Sequence, residues 1–240
     1  MEELIRLNKF LSDAGVCSRR AADSAIEEGR VTIDGVIAIV GQKVSGKEEI
    51  CFDGKLVSNT DKKSVLIAYN KPIGIVCTAE KREKKNIIDH INYPTRIYPI
   101  GRLDKDSHGL ILLTNEGELV NKIMRAANFH EKEYLVRVDK EITNVFLEKM
   151  KNGVYIEELN VTTRPCFIKK ESKFTFTIVL TQGLNRQIRR MCQALGYRVR
   201  DLKRVRIMNI ELKDLKEDTY RDITDIELKS LKKMLEGSKN

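Results

Sequence analysis

The chain has 240 residues and a mass of 27.6 kDa, room for one large domain or two smaller ones with separate cores. At 41% hydrophobic and 33% charged it reads as globular rather than disordered, and no apolar run approaches the roughly 20 residues of a membrane-spanning helix. Forty-four basic residues against 35 acidic give a net charge of +9, which favours an anionic partner, nucleic acid above all.

The opening stretch MEELIRLNKF has no apolar secretion-signal core, and the five cysteines include no Cys-x-x-Cys pair. A reducing cytoplasm is therefore expected, with no disulfide framework, no zinc ribbon and no membrane association. Of the three histidines (His90, His108, His130) no two share metal-ligand spacing, so no metal is expected. Residues 1–60 hold 8 Lys/Arg against 10 Asp/Glu and the remainder 36 against 25. A nucleic-acid site in the first segment must therefore be a local patch.

Leu4, Leu7, Phe10 and Leu11 form a helical stripe that Asp13-Ala14-Gly15 ends. Ser18 caps a second helix with Ala22, Ala25 and Ile26 on its buried face, and Gly29 closes it. Short strands follow at 31–33, 36–40 and 49–52, with turns at Asp34-Gly35 and Asp53-Gly54. Two helices and a small sheet thus occupy 1–60, and the polar run Ser58 to Lys63 reads as a linker, placed at 61–64.

From Val65 the pattern changes. Strands are predicted at 65–69, 75–78, 110–114, 132–138, 161–168, 173–180 and 205–212, and helices at 115–125, 143–151, 184–195 and 224–235. Phe174, Phe176, Ile178 and Leu180 alternate with polar residues, so one face of that strand is buried. The helix at 184–195 places Leu184, Ile188, Met191, Cys192 and Leu195 on one side and Arg186, Arg189, Arg190 and Gln193 on the other. The fold class expected is α+β: a small N-terminal domain, then a mixed, mostly antiparallel-sheet domain over 65–240 with a central cleft. The last residues, 237–240, are expected to fray.

Arg6 and Lys9 on the first helix, with Ser18, Arg19 and Arg20 opening the second, make a phosphate site if they face one way, and an ordinary solvated surface otherwise. In the second domain the run Ile100-Gly101-Arg102-Leu103-Asp104-Lys105-Asp106-Ser107-His108-Gly109-Leu110 sets Asp104 on a loop before an apolar strand, between glycines and beside Arg102. A carboxylate among cations stays ionised at neutral pH, as a nucleophile must. A bare Gly-Arg-Leu-Asp is better explained by a loop salt bridge with turn glycines. Between 186 and 206 stand eight cations against one acid, Asp201.

The longer wording is more specific. R-L-N-K-F-L-S-D-A-G-V-C-S-R-R-A-A-D followed by E-E-G-R-V-T-I-D-G resembles the S4 RNA-binding module. The string 100–115 resembles the catalytic motif of RNA pseudouridine synthases. Glu131 to Val136 resembles the family's second motif and Gln182 to Met191 its third, while Asn70-Lys71-Pro72 matches an early structural segment. The architecture resembles the bacterial rRNA enzymes of the RsuA, RluB, RluE and RluF family, and H-E-K-E-Y-L-V with Q-G-L-N-R-Q-I-R-R-M-C looks most like its RluF branch, which acts on 23S rRNA.

The resemblance implies roles. Asp104 is the nucleophile, Tyr134 packs against the target uracil and is a candidate acceptor of its C5 proton, Arg189 pairs with Asp104, and Arg102 fills the space left by the flipped base or holds its phosphate. RNA would be held by Arg6, Lys9, Ser18, Arg19 and Arg20 in one domain and by Arg186, Arg190, Lys203 and Arg204 in the other, with Arg204 expected on the exposed footprint. His108 stands where glutamine is more usual and is expected to be a bland surface residue. The sequence ends at Asn240 without the Lys-rich tail of some relatives, which is expected to lower nonspecific RNA affinity and leave catalysis intact.

Isomerising uridine needs no redox step, so no cofactor is expected. Whether Asp104 attacks C1′, attacks C6 or removes a 2′ proton stays open. The expected partner is ribosomal RNA, most of all the large subunit, with 16S rRNA or a tRNA anticodon loop as alternatives and the protein a monomer. Two other functions compete: an S4-bearing RNA-binding factor that has lost activity, and a glycosidase using Asp104 and Asp106. The i, i+2 spacing of that carboxylate pair does not by itself set two carboxyls across a sugar.

Overall fold

The computed structural model describes residues 4–57 and 63–238. The chain divides into two compact units, Met1–Ser64 with Pro94–Arg96, and Val65–Tyr93 with Ile97–Asn240. The expected linker falls partly on residues 61 and 62, which lie outside the described residues.

In the first unit, β1 (Ile5–Arg6) leads into α1 (Leu7–Asp13) and α2 (Arg19–Glu27). The short strands β2 (Val31–Ile33), β3 (Val36–Ile37), β4 (Lys43–Val44), β5 (Ile50–Phe52) and β6 (Lys55–Leu56) follow. Strands β3-β2-β5-β6 form one sheet, and β1 pairs with β4. Ser18 caps α2, its Oγ accepting from the Ala21 N–H at 3.1 Å. Asp34 (φ 47°) and Gly35 (φ 80°) take the left-handed pair that a two-residue hairpin turn requires. Leu7, Phe10, Leu11, Ala22, Ala25 and Ile26 pack with Val31, Val44 and Ile50. Two expectations fail. Leu4 precedes the helix and is 55% exposed, because β1 starts the domain in extended form. The strand expected at 36–40 stops at Ile37, leaving Val36, Ile37, Ile39 and Val40 exposed.

The second unit contains β7 (Leu66–Lys71), α3 (Ile87–Ile91), β8 (Tyr98–Ile100), β9 (His108–Thr114), α4 (Gly117–Met124), β10 (Lys132–Val138) and α5 (Asn144–Asn152). It continues with β11 (Tyr155–Ile156), β12 (Val161–Thr162), β13 (Phe167–Lys170), β14 (Thr175–Leu180) and α6 (Gln187–Ala194). Last come β15 (Val199–Ile207), β16 (Ile210–Glu211), β17 (Tyr220–Asp222) and α7 (Asp225–Met234). The main sheet runs β13-β14-β10-β15-β9-β7-β17, with β16 on β15 and β8 on β9. Every neighbouring pair is antiparallel except β15 with β9, which meet in parallel over only Lys203↔His108 and Arg204↔Gly109. Two antiparallel half-sheets are thus joined by a short seam.

Burial explains the wording of β9. Leu110 and Leu112 face a cluster with Ile123, Ile207 and Leu231, while Ile111 and Leu113 face another with Ile67, Ile75 and Leu103. A strand covered on both faces reads as an unbroken apolar run. In the other half-sheet, Phe176, Ile178 and Leu180 pack against Phe146 and Met150 of α5 and Ile188, Met191 and Cys192 of α6.

Several boundaries differ from expectation. Residues 75–78 make only a bridge from Val76 to Asn86. The segment 161–168 divides between β12 and β13, and 205–212 is the end of a longer strand plus a hairpin through Met208 (φ 51°). Phe174 lies outside β14 and is exposed. Helix α6 begins at Gln187, not 184. At the C-terminus, Ser238 is hydrogen-bonded rather than frayed, its N–H to the Leu235 carbonyl and its Oγ 3.1 Å from His130 Nε2; residues 239–240 lie outside the described residues.

Candidate active site

At the seam between the half-sheets lies a cleft of about 240 Å³. Its walls come from five segments: Gly101 to Asp104 with Ser107 before β9, Met124 at the end of α4, Lys132 and Tyr134 on β10, Leu180 and Gln182 to Ile188 from the end of β14 into α6, and Leu202 and Arg204 on β15. Strand alternation places Lys132 and Tyr134 on the same face as buried Val136 and Val138. A register shift against β15 between Glu133 and Tyr134 sets Tyr134 opposite Arg204.

The loop 101–108 is held chiefly through its backbone. Leu103 is buried in the apolar cluster and its N–H meets Cys77 Sγ at 3.4 Å; burial pushes that thiol above its ordinary pKa. The Ser107 N–H closes a turn onto the Asp104 carbonyl at 3.0 Å. Buried Lys71 donates to the carbonyls of Ser107 (2.8 Å) and Pro72 (2.7 Å), and its pKa is lowered, first by burial. Arg204, 2% exposed, donates Nε to the Leu110 carbonyl at 2.6 Å and Nη1 to the Arg102 carbonyl at 3.4 Å. A side chain at Gly109 (φ 99°) would put its Cβ 2.3 Å from the Arg204 carbonyl, so only glycine fits the seam.

Asp104 sits half-buried on the cleft wall, its carboxylate 3.5 Å from Arg186 Nη1. Arg186 also forks onto Asp106 with two 3.0 Å bonds. Asp106 is held below the usual carboxylate range by that bond first and by the charge of Arg189. The pairing expected between Arg189 and Asp104 is therefore replaced. Arg189 donates Nη2 to the Asp106 carbonyl (2.7 Å) and Ser107 Oγ (3.1 Å), and lies 3.4 Å from the Asp106 carboxylate. The cause is local. Arg186 adopts a left-handed conformation (φ 50°) just before α6, which carries its guanidinium to both aspartates, while Arg189 reaches Asp106 and the Ser107 hydroxyl and not Asp104. Asp106, forked to Arg186, is not among the residues that line the cleft with Asp104.

Arg102 is exposed on the cleft rim. The expected phosphate run is largely committed elsewhere. Arg204 is buried, which corrects its expected place on the surface, because it alternates with Leu202 along the inward face of β15. Lys203, between them, is half-buried. Arg190 is tied to Asn185 (3.1 Å to the carbonyl) and Glu158 (3.3 Å), and Arg206 to Glu131 and Glu133. His108 is no bland surface residue: its Nε2 lies 2.9 Å from the Asp201 carboxylate. In the first unit Arg6 stands at the N-cap of α1, Arg19 and Arg20 open α2, all three exposed, and Lys9 is half-buried.

Lys132 is a cleft residue that sequence reasoning passed over. Buried, and donating at 3.2 Å to the His130 carbonyl, it has a pKa lowered to about 8, by burial first and Arg204 second. Its place two residues before Tyr134 on an alternating strand was the available signal.

Comparison with known proteins identifies the family. The sequence model of RNA pseudouridylate synthases matches residues 65–194 and that of the S4 domain residues 5–50. The dual-specificity RNA pseudouridine synthase RluF of Salmonella typhi is 53% identical over 234 residues, covering 97% of this chain and 80% of the relative. Ribosomal large subunit pseudouridine synthase B of Bacillus subtilis is 34% identical over 242 residues, with 98% of each covered. A crystal structure of a pseudouridylate synthase superposes with a TM-score of 0.69 at 28% identity, covering 95% of this chain and 99% of that one. No helix among the described residues is long and apolar enough to cross a membrane. The chain belongs to the RNA pseudouridine synthases, in their S4-bearing RsuA-type family, and isomerises uridine in RNA.

Proposed function

We propose that the substrate is a uridine in a ribosomal RNA hairpin, of the large subunit before the small, with Asp104 as the nucleophile. The observation that carries this is Asp104 on the wall of the same cleft as Tyr134, on a loop whose carbonyls are gripped by Lys71, Arg189 and Arg204.

The base leaves its stack at a cost of a few kcal/mol, and the Tyr134 face offsets part of this. The N1–C1′ bond then breaks and a C5–C1′ bond forms. The proton lost from C5 passes to Tyr134 or a water beside it, and N1 takes one up, so the reaction is a balanced isomerisation. Arg102 at the rim occupies the place of the extruded base or holds its phosphate. Arg186 pairs with the Asp104 carboxylate and orients it, and Arg189 fixes the loop. Arg6, Lys9, Arg19 and Arg20, with Ser18 shaping the helix start, hold the RNA in the S4 domain, and Arg190 and Lys203 border the footprint of the second domain.

The domains are read as 1–60 and 65–240 with a linker at 61–64, and the protein as a cytoplasmic monomer. A tRNA anticodon loop is the second candidate substrate, in keeping with the dual specificity ascribed to the Salmonella relative. The test is to treat RNA from cells lacking this protein with wild type and with Asp104→Asn, and to map pseudouridines by carbodiimide-adduct stops on 23S rRNA, 16S rRNA and tRNA. A stop made by wild type alone is expected, and names both substrate and nucleophile. A stop made equally by Asp104→Asn removes Asp104 from that role. A stop on 16S rRNA or tRNA alone moves the substrate.

A further inference from the structure

Phe129 has no role in the chemistry described above, yet its setting is unusual. It is 57% exposed, where an aromatic of its size is ordinarily buried, and its backbone is left-handed (φ 54°), a conformation costly for a bulky side chain. The Arg164 guanidinium lies over its ring, 4.2 Å from the centroid. Both residues adjoin the cleft. The Arg164 N–H donates to Gln182 Oε1 at 2.9 Å, and Gln182 lines the cleft. On the other side the next residue, His130, accepts from Lys132, also a cleft residue, through its carbonyl. Met124, just before the turn that carries Phe129, completes this stretch of wall.

We infer that the Phe129–Arg164 stack is a platform for an unpaired nucleobase next to the target uridine. The inference rests on the reading that a flipped uridine enters the cleft. Flipping one nucleotide breaks stacking on both of its sides, so a neighbouring base is left with an uncovered face at the rim. A phenyl ring backed by a guanidinium offers that face a planar, cationic partner, which suits any base because every base has a π-face. An apolar protein partner fits less well, since the ring stands with a guanidinium and its chain neighbours are polar, half-buried Asn128 and buried His130, rather than an apolar field.

The platform grips an RNA feature that flipping creates, so it acts on recognition and leaves the bond-making step alone. Replacing the ring should raise KM while sparing kcat. The RNA is a synthetic hairpin centred on the mapped uridine, made intact and with an abasic residue at the 5′ or the 3′ neighbour. With the intact hairpin Phe129→Ala is expected to raise KM about tenfold, within the range of one lost base–aromatic stack, and to change kcat less than twofold. Phe129→Trp should restore KM. With one of the two abasic hairpins, wild type and Phe129→Ala should become alike.

A second readout needs no turnover: 2-aminopurine at that neighbour should be quenched on binding wild type and not on binding Phe129→Ala. The two proteins should melt within about 2 °C of each other, as expected for an exposed side chain. The platform is overturned if Phe129→Ala leaves KM unchanged, or raises it equally on all three hairpins, or quenches 2-aminopurine as wild type does. A wild type that binds the hairpin without forming pseudouridine overturns the substrate reading instead, and the quenching still judges the platform.

Discussion

The two units use positive charge in opposite ways. In the first, Arg6, Arg19 and Arg20 are exposed, and the only buried polar residue among those described is Ser12. In the second, Lys71, Lys132 and Arg204 are buried, and each donates to backbone carbonyls around the cleft. An exposed arginine is cheap to hold and available to phosphate. A buried one is costly to desolvate, and is retained only where its geometry is well satisfied or its charge has work to do. The same side-chain type is therefore left open to solvent in one unit and holds the loop of Asp104 in the other.

The largest effect that would sharpen this contrast is expected at Arg204. Arg204→Met keeps the length and removes the fork, leaving the Leu110 and Arg102 carbonyls without their donor. A buried polar group left unpaired costs about 1–3 kcal/mol, so a loss of about 3 kcal/mol is expected, partly offset by relief of the buried charge. Thermal melting should fall by several degrees. kcat should fall more than RNA affinity, because the Arg102 carbonyl lies two residues before Asp104. An Arg204→Met protein with normal kcat and weaker, less salt-dependent RNA binding would return Arg204 to the phosphate footprint.

Why that burial was not legible is instructive. Arg204 stands in a run of eight cations between 186 and 206, which reads as an exposed basic surface. Only once β15 is known to start at Val199 does its alternation with Leu202 turn it inward. The choice of Arg186 over Arg189 as partner of Asp104 hangs on a single backbone angle, the left-handed φ of Arg186, to which periodicity is blind. By contrast β9 was plain, since a strand covered on both faces has no polar phase to confuse, and so was α2, with Ser18 at its start and Gly29 after its end. The short elements β8, β17 and α3, of three to five residues, hold too few side chains to establish a period. The loop carrying Asp104 was legible as a motif, while the cations that hold it come from β7, α6 and β15, brought together only by the sheet.

A middling effect, with a pH signature, is expected at Lys132. Its folded pKa of about 8 lies below the 10.5 of an ordinary lysine. Between those values the unfolded chain binds more protons than the folded one, so wild-type stability gains as pH rises from about 8 to 10.5. Below pH 8 the full burial penalty is present, roughly 3 kcal/mol at most and reduced by the bond to the His130 carbonyl. Lys132→Met should therefore melt higher than wild type at pH 7, by an amount worth about 1–2 kcal/mol, and the gap should close towards pH 10. The same variant should lose activity, since the ammonium lines the cleft. Melting curves from pH 7 to 10 decide it. A variant less stable than wild type by the same amount at every pH would show that the buried ammonium is already fully compensated.

The smallest effect on the fold, and the sharpest on binding, belongs to the first unit. Arg19→Gln and Arg20→Gln together should leave stability within about 0.5 kcal/mol, because both side chains are exposed at the first turn of α2 and the cap from Ser18 remains. If each neutralises one phosphate, the log–log dependence of RNA affinity on salt should flatten by about 1.4–1.8, the lower figure applying to single-stranded and the upper to double-helical contacts. KM should rise at physiological salt with kcat unchanged, the converse of the result expected at Arg204. Titrations of RNA affinity between 50 and 200 mM salt test this directly. A double variant with an unaltered slope would mean that these two arginines face solvent in the complex, and the contrast between exposed recruiting charge and buried positioning charge would then hold for the second unit alone.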